Sequence, residues 1–201
     1  MNFGSKGEQM LPSGVLSHIQ REVVLRSIHA LHDSHKDSGF SGFLSALAPG
    51  FGKGRIITVT SIILSLPWRE KRRKYKVDPF LMGLFTANSR LLFEFHRDFL
   101  DVGAAVMVHS GSFRRHILNL DGCQDHKGMY HIRPTKGDDR HVDDIPTVFL
   151  VDGDCFNTIE PLKKQLLRFQ EEDGLNESPD MWAILFTYSS IRSANEKRYK
   201  Q

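Results

Sequence analysis

Hydrophobic positions along this chain recur with two different periods, and the order in which the periods alternate predicts its architecture. Over residues 15–31, Val15, Leu16, Ile19, Val23, Leu25, Ile28 and Leu31 return at three- and four-residue steps, the mark of an amphipathic helix. Polar residues 33–42 break that pattern. Residues 55–66 are apolar almost throughout, which predicts a buried helix ended by Pro67. Residues 79–87 are short and apolar on both faces, as expected of a central parallel strand covered by helices. Asn88 or Ser89 can cap the next helix, residues 91–100, where Leu92, Phe95, Phe99 and Leu100 share one face. Strands are expected at 104–109, 147–151 and 181–188, with a helix at 162–171. Residues 111–144 are polar and aperiodic and read as an irregular insertion. Strands alternating with helices imply an α/β fold of three layers, α/β/α, with a mostly parallel sheet. Residues 1–14 read as a flexible N-terminus and 15–201 as one domain. Phe80, Phe85, Phe93, Phe95 and Phe99 are expected in its core.

The segment Leu47-Ala48-Pro49-Gly50-Phe51-Gly52-Lys53-Gly54-Arg55 opens the first buried helix and approximates a phosphate-binding loop, G-x-x-x-x-G-K-[ST]. In that pattern small residues let successive backbone N–H groups face phosphate oxygens, the helix N-terminus adds its positive end, and the lysine reaches the β- and γ-phosphates. Gly50, Phe51, Gly52, Lys53, Gly54 and Arg55 are therefore the candidate nucleotide-binding residues. The hydroxyl that would ligate Mg²⁺ is replaced by Gly54, and the first glycine by Leu47. The loop predicts phosphate contact and argues against metal-assisted hydrolysis.

Length and charge add bounds. The chain has 201 residues, 40% of them hydrophobic and 25% charged, enough for one sizeable core. No apolar run reaches the roughly 20 residues a membrane span needs, and the first residues lack the apolar block of a signal peptide. Cys123 and Cys155 do not make a disulfide framework, so free thiols in a reducing compartment are expected. A net charge of +3 does not announce nucleic-acid binding, but residues 69–76, Arg-Glu-Lys-Arg-Arg-Lys-Tyr-Lys, are locally basic. That run reads either as a solvated loop between helix and strand, or as an import signal or phosphate contact.

Taken in order, these segments resemble the first ATPase lobe of the Swi/Snf-type chromatin remodellers, within the superfamily two helicase-like ATPases. Gln20 stands where that family places an adenine-recognising glutamine, and Lys53 with its glycines stands at motif I. Residues 79–92 look like the motif Ia strand and the helix after it. Val106 to Ser112, with Arg114 and Arg115, look like the next strand and its H-x-G-S turn. Trp182 to Tyr188, with Ile191 and Arg192, look like the strand ending in Thr-Tyr. The resemblance spans about residues 15–195. It implies a RecA-like P-loop NTPase lobe, ATP as ligand, a nuclear location, and DNA backbone contacts at Asn88, Ser89, Thr187 and Tyr188.

The departures define the expected activity. Motif II, an Asp-Glu pair that serves Mg²⁺ and the attacking water, is missing as such. Either it belongs after the Thr-Tyr strand, or residues 148–154 are a decayed form of it, with Asp152 and Asp154 as weak catalytic candidates. Without a second lobe there is no arginine finger, worth about 10³ to 10⁵ in rate. The reading is a degenerate ATP-binding lobe with little or no hydrolysis; the alternative is a non-catalytic interaction module that meets a protein partner through residues 111–144. Cys123, His126, His131 and His141 match no common zinc spacing, and no Gly-x-Ser-x-Gly elbow supports a hydrolase.

Overall fold

The computed structural model describes residues 14–33, 42–75, 80–87, 89–109, 124–126, 129–132, 145–152 and 179–188. In chain order they form α1 (His18–Asp33), α2 (Lys53–Tyr75), β1 (Phe80–Thr86), α3 (Ser89–Asp101), β2 (Ala105–His109), β3 (Gln124–His126), β4 (Met129–Ile132), β5 (Thr147–Asp152) and β6 (Met181–Thr187). One six-stranded sheet runs β1-β6-β5-β2-β4-β3. The first four of these are parallel neighbours, and β4 and β3 add antiparallel at the far edge. The chain is thus an α/β protein built on a four-stranded parallel block.

The core follows from strand alternation. Phe80, Met82 and Leu84 of β1 lie in register with Met181, Ala183 and Leu185 of β6, and Val148 and Leu150 of β5 continue that face to Val106 of β2. Helix residues Val24, Ile28, Ile56, Val59, Ile62, Ile63, Phe95 and Phe99 pack onto it in one cluster. All three described helices therefore serve one face of the sheet. The helix expected at 162–171 lies outside the described residues, so the third layer is not part of this description. Helix α3 stops in a Schellman turn, with Ala104 N–H donating to Phe99 C=O at 2.9 Å, Gly103 N–H to Leu100 C=O at 2.8 Å, and Gly103 at φ +82°.

Three expectations need correction. The first is that α2 does not end at Pro67 but carries it inside and runs on to Tyr75. An interior proline removes one helix hydrogen bond and costs about 3 kcal/mol. Tertiary contacts beyond it offset that cost. The Arg69 guanidinium, 8% exposed, meets the Asp180 carboxylate, 14% exposed, at 3.2 Å and donates to Ile145 C=O at 3.2 Å. Trp68 packs edge-on against Phe80 with ring centroids 5.5 Å apart. The basic run is accordingly helical from 69 to 75, not a loop, and its first member is buried rather than solvated.

The second correction concerns β1, which among the described residues is an edge strand of the sheet and not a central one. Its inner face is covered, while Leu81 is 60% and Phe85 50% exposed on the other. Phe85, expected in the core, instead stacks on Phe186 with centroids 5.3 Å apart. The third is that residues 111–144 are not wholly irregular. Apolar residues around Tyr130 pair with β2, Met107 facing His131 and Val108 facing Tyr130.

Asp180 joins the amino ends of the strands. Its backbone N–H donates to Thr147 C=O at 3.0 Å, its C=O accepts from Phe80 N–H at 3.1 Å, and its carboxylate accepts from Thr147 N–H at 2.9 Å. Breaking a buried ion pair by removing one partner costs about 3–5 kcal/mol. Asp180→Ala is expected to lower unfolding free energy by about that much in urea titrations, whereas Glu22→Ala, which removes the exposed Arg26 pair, should lose less than about 0.5 kcal/mol.

Candidate functional site

The glycine segment builds its shape from turn chemistry. Ala48-Pro49-Gly50-Phe51 is a β-turn of the type II kind: Phe51 N–H points back to Ala48 C=O at 3.4 Å, proline occupies the second position and Gly50, at φ +82°, the third. Gly52, at φ +69°, is the N-cap of α2, its carbonyl accepting the first helical bond from Ile56 N–H at 3.1 Å. The first turn of α2 contains no acidic residue. Its positive end is therefore offset by nothing from its own sequence. The Lys53 ammonium, exposed, folds over the turn and donates to Ala48 C=O at 2.9 Å.

Two other helices meet this loop. Ser17 and Gln20 form a capping box at the start of α1: Gln20 N–H donates to Ser17 Oγ at 3.3 Å, and Ser17 N–H to Gln20 Oε1 at 2.9 Å. The other end of the same side chain, Nε2, donates to Phe51 C=O at 3.0 Å. Gln20 thus ties α1 to the loop, and a Cβ at Gly52 would lie 2.5 Å from its Nε2. On the opposite side the Asp98 carboxylate of α3 packs against Gly54, in the space where any side chain at that position would start. One turn further along α3, Asp101 pairs with Arg55 at 3.2 Å.

That contact gives a physical reason for the departure from the phosphate-loop pattern. A serine or threonine at 54 would place its Cβ against the Asp98 carboxylate, so Asp98 would have to turn aside to admit the hydroxyl. Burial raises the Asp98 pKa above the usual 3.8; Arg97 opposes the shift, Asp101 adds to it, Arg55 opposes and Glu94 adds. The Asp98 carboxylate thus places negative charge beside the first turn of α2.

The structure brings together Gln20, Phe51, Gly52, Lys53, Gly54 and Arg55. At the far end of β6, Thr187 is buried and Tyr188 exposed. Asn88 and Asp154 lie outside the described residues, as do Cys123 and His141, and the side chains of Ser89, His126, His131 and Asp152 are outside the description as well. Among the described residues no group of three or more His, Cys, Asp or Glu side chains is placed to hold a metal, and no helix is long and apolar enough to cross a membrane. Sequence reasoning missed Asp98, which carries no local signal, and Ser17, which the S-x-x-Q pattern ahead of an apolar run does signal.

Comparison with protein-family models, with curated proteins and with solved structures returns no match to this chain.

The linkage of Asp98 has a definite sign. Its carboxyl has a folded pKa above the unfolded value of 3.8, so the ionised form is disfavoured in the folded state; the penalty is absent below 3.8 and complete above the raised pKa. Asp98→Asn should therefore raise the urea midpoint at pH 7, and its advantage over the parent should shrink as pH falls toward 3.8. Gly54→Ser should lower the midpoint at pH 7, and Asp98→Ala introduced with it should recover the loss.

Proposed function

We propose that this chain is a nucleotide-binding lobe of the Swi/Snf-like, P-loop type that binds ATP and hydrolyses it weakly or not at all. The observation that carries this reading is the bond from Gln20 Nε2 to Phe51 C=O, because it joins the two segments that such a lobe uses for adenine and for phosphate. They are 31 residues apart in sequence and nothing local obliges them to meet. Lys53 lies on the same loop with its ammonium exposed and within reach of an anion by side-chain rotation. On binding, Gln20 would exchange Phe51 for the adenine edge, and Lys53 would exchange the Ala48 carbonyl for phosphate oxygens.

Packing of Asp98 against Gly54 supports the inactive side of the proposal. A site without the hydroxyl ligand has no preference for the metal-bound nucleotide, and the Asp98 charge weakens triphosphate binding rather than assisting catalysis. In this reading the lobe acts in the nucleus, touches DNA backbone without sequence preference through Asn88, Ser89 and Tyr188, and meets a protein partner through residues 111–144. Thr187, the remaining residue of that set, is buried.

A fluorescent ATP analogue is expected to bind with an affinity that changes less than threefold on adding Mg²⁺. Lys53→Ala and Gln20→Ala should each weaken it at least tenfold, and Asp98→Asn should tighten it. Absence of binding at millimolar nucleotide would leave the non-catalytic interaction module as the better reading. DNA-stimulated turnover abolished by Lys53→Ala would overturn the inactive assignment.

A further inference from the structure

The last third of α2 carries exposed aromatic rings interleaved with lysines, and the nucleotide reading makes no use of them. Trp68, Lys71 and Tyr75 stand at i, i+3 and i+7, one stripe along the helix surface. Trp68 is 42% and Tyr75 63% exposed. Each ring has an ammonium over it: Lys71 Nζ lies 5.4 Å from the Trp68 centroid, and Lys74 Nζ lies 5.1 Å from that of Tyr75. Seven residues of helix separate the two rings, about 10 Å of rise. Arg69 does not belong to this surface, because its ion pair with Asp180 turns it into the protein and fixes the stripe outward.

We propose that this stripe is a binding surface for single-stranded nucleic acid, with Trp68 and Tyr75 as stacking platforms for bases and Lys71 and Lys74 as contacts for the phosphates between them. Aromatic faces bordered by cations are what a sequence-tolerant single-strand site requires. A duplex keeps its base faces inside and could use only the charges. An anionic membrane would need an apolar helix face to insert, and the apolar side of α2, Ile56, Val59, Ile62 and Ile63, is committed to the core. An acidic peptide would use the lysines and leave the ring faces idle. The surface lies at the amino ends of the strands, beside Phe80, and stands independently of the glycine loop at the other end of α2.

The test is titration of the protein with a fluorescein-labelled 20-nucleotide oligothymidylate at low salt, followed by anisotropy and by tryptophan emission. Trp182, the other tryptophan, is only 7% exposed, so quenching reports Trp68. Expected are binding, quenching, and a fall in log affinity with log salt of about 0.7 for each phosphate contacted. The Lys71→Glu and Lys74→Glu double variant should bind at least tenfold more weakly, while Arg26→Glu on α1 should bind as the parent does. Trp68→Phe should keep most of the affinity and lose the quenching. Both lysines are on the surface, and an unchanged far-ultraviolet dichroism spectrum verifies that the double variant is folded. The proposal is overturned by no binding of the oligonucleotide, by binding insensitive to the double charge reversal, by equal affinity for a duplex without quenching, or by a preference for phosphatidylserine vesicles with a blue shift of the emission.

Discussion

The fold turns on one buried ion pair, Arg69 with Asp180. Taking a guanidinium and a carboxylate out of water costs several kcal/mol per ion, and mutual attraction offsets more of that as more of their remaining hydrogen-bonding capacity is met. Here the carboxylate accepts from both the backbone and the hydroxyl of Thr147, and the guanidinium donates to the carbonyl of Ile145. The backbone of Asp180 simultaneously bonds Phe80 and Thr147. A single residue therefore sets the amino ends of β1, β5 and β6 relative to one another and anchors α2 across them.

The consequences run along α2 in both directions. Past Pro67, the anchored arginine keeps the chain helical and aims the lysine and aromatic stripe at solvent. Toward its start, Val59, Ile62 and Ile63 bury the helix against sheet and α1, so that its first turn arrives between Gln20 and Asp98. The glycine loop is then less a free element than the end of a clamped rod, its turn set by Pro49 and Gly50 and latched by one glutamine amide.

Much of this was legible in the sequence. The four parallel strands declare themselves as apolar runs, whereas β3 and β4 do not, and Phe95 and Phe99 mark the inner face of α3 by spacing alone. The glycine loop could be read because turn chemistry is local: proline then glycine at the centre of a turn, glycine again at the helix start. What resisted reading depends on partners distant in sequence. Pro67 reads as a stop because the compensating pair, Asp180, is remote along the chain. Six basic residues among the eight of 69–76 do not reveal which one is buried. The exposure of Phe85 follows from β1 lying at the sheet edge, which depends on strand order rather than on composition. Gly54 looks like a defect in a motif until Asp98 is seen to occupy its space.

Hydrogen exchange of the α2 backbone, read by mass spectrometry in the parent and in Asp180→Ala, tests the central claim most directly. If the buried pair holds the helix beyond its proline, amides 68–75 are protected in the parent and exchange rapidly in the variant, while amides 57–63 change far less. Equal protection of 68–75 in both proteins, or none in either, would contradict the account.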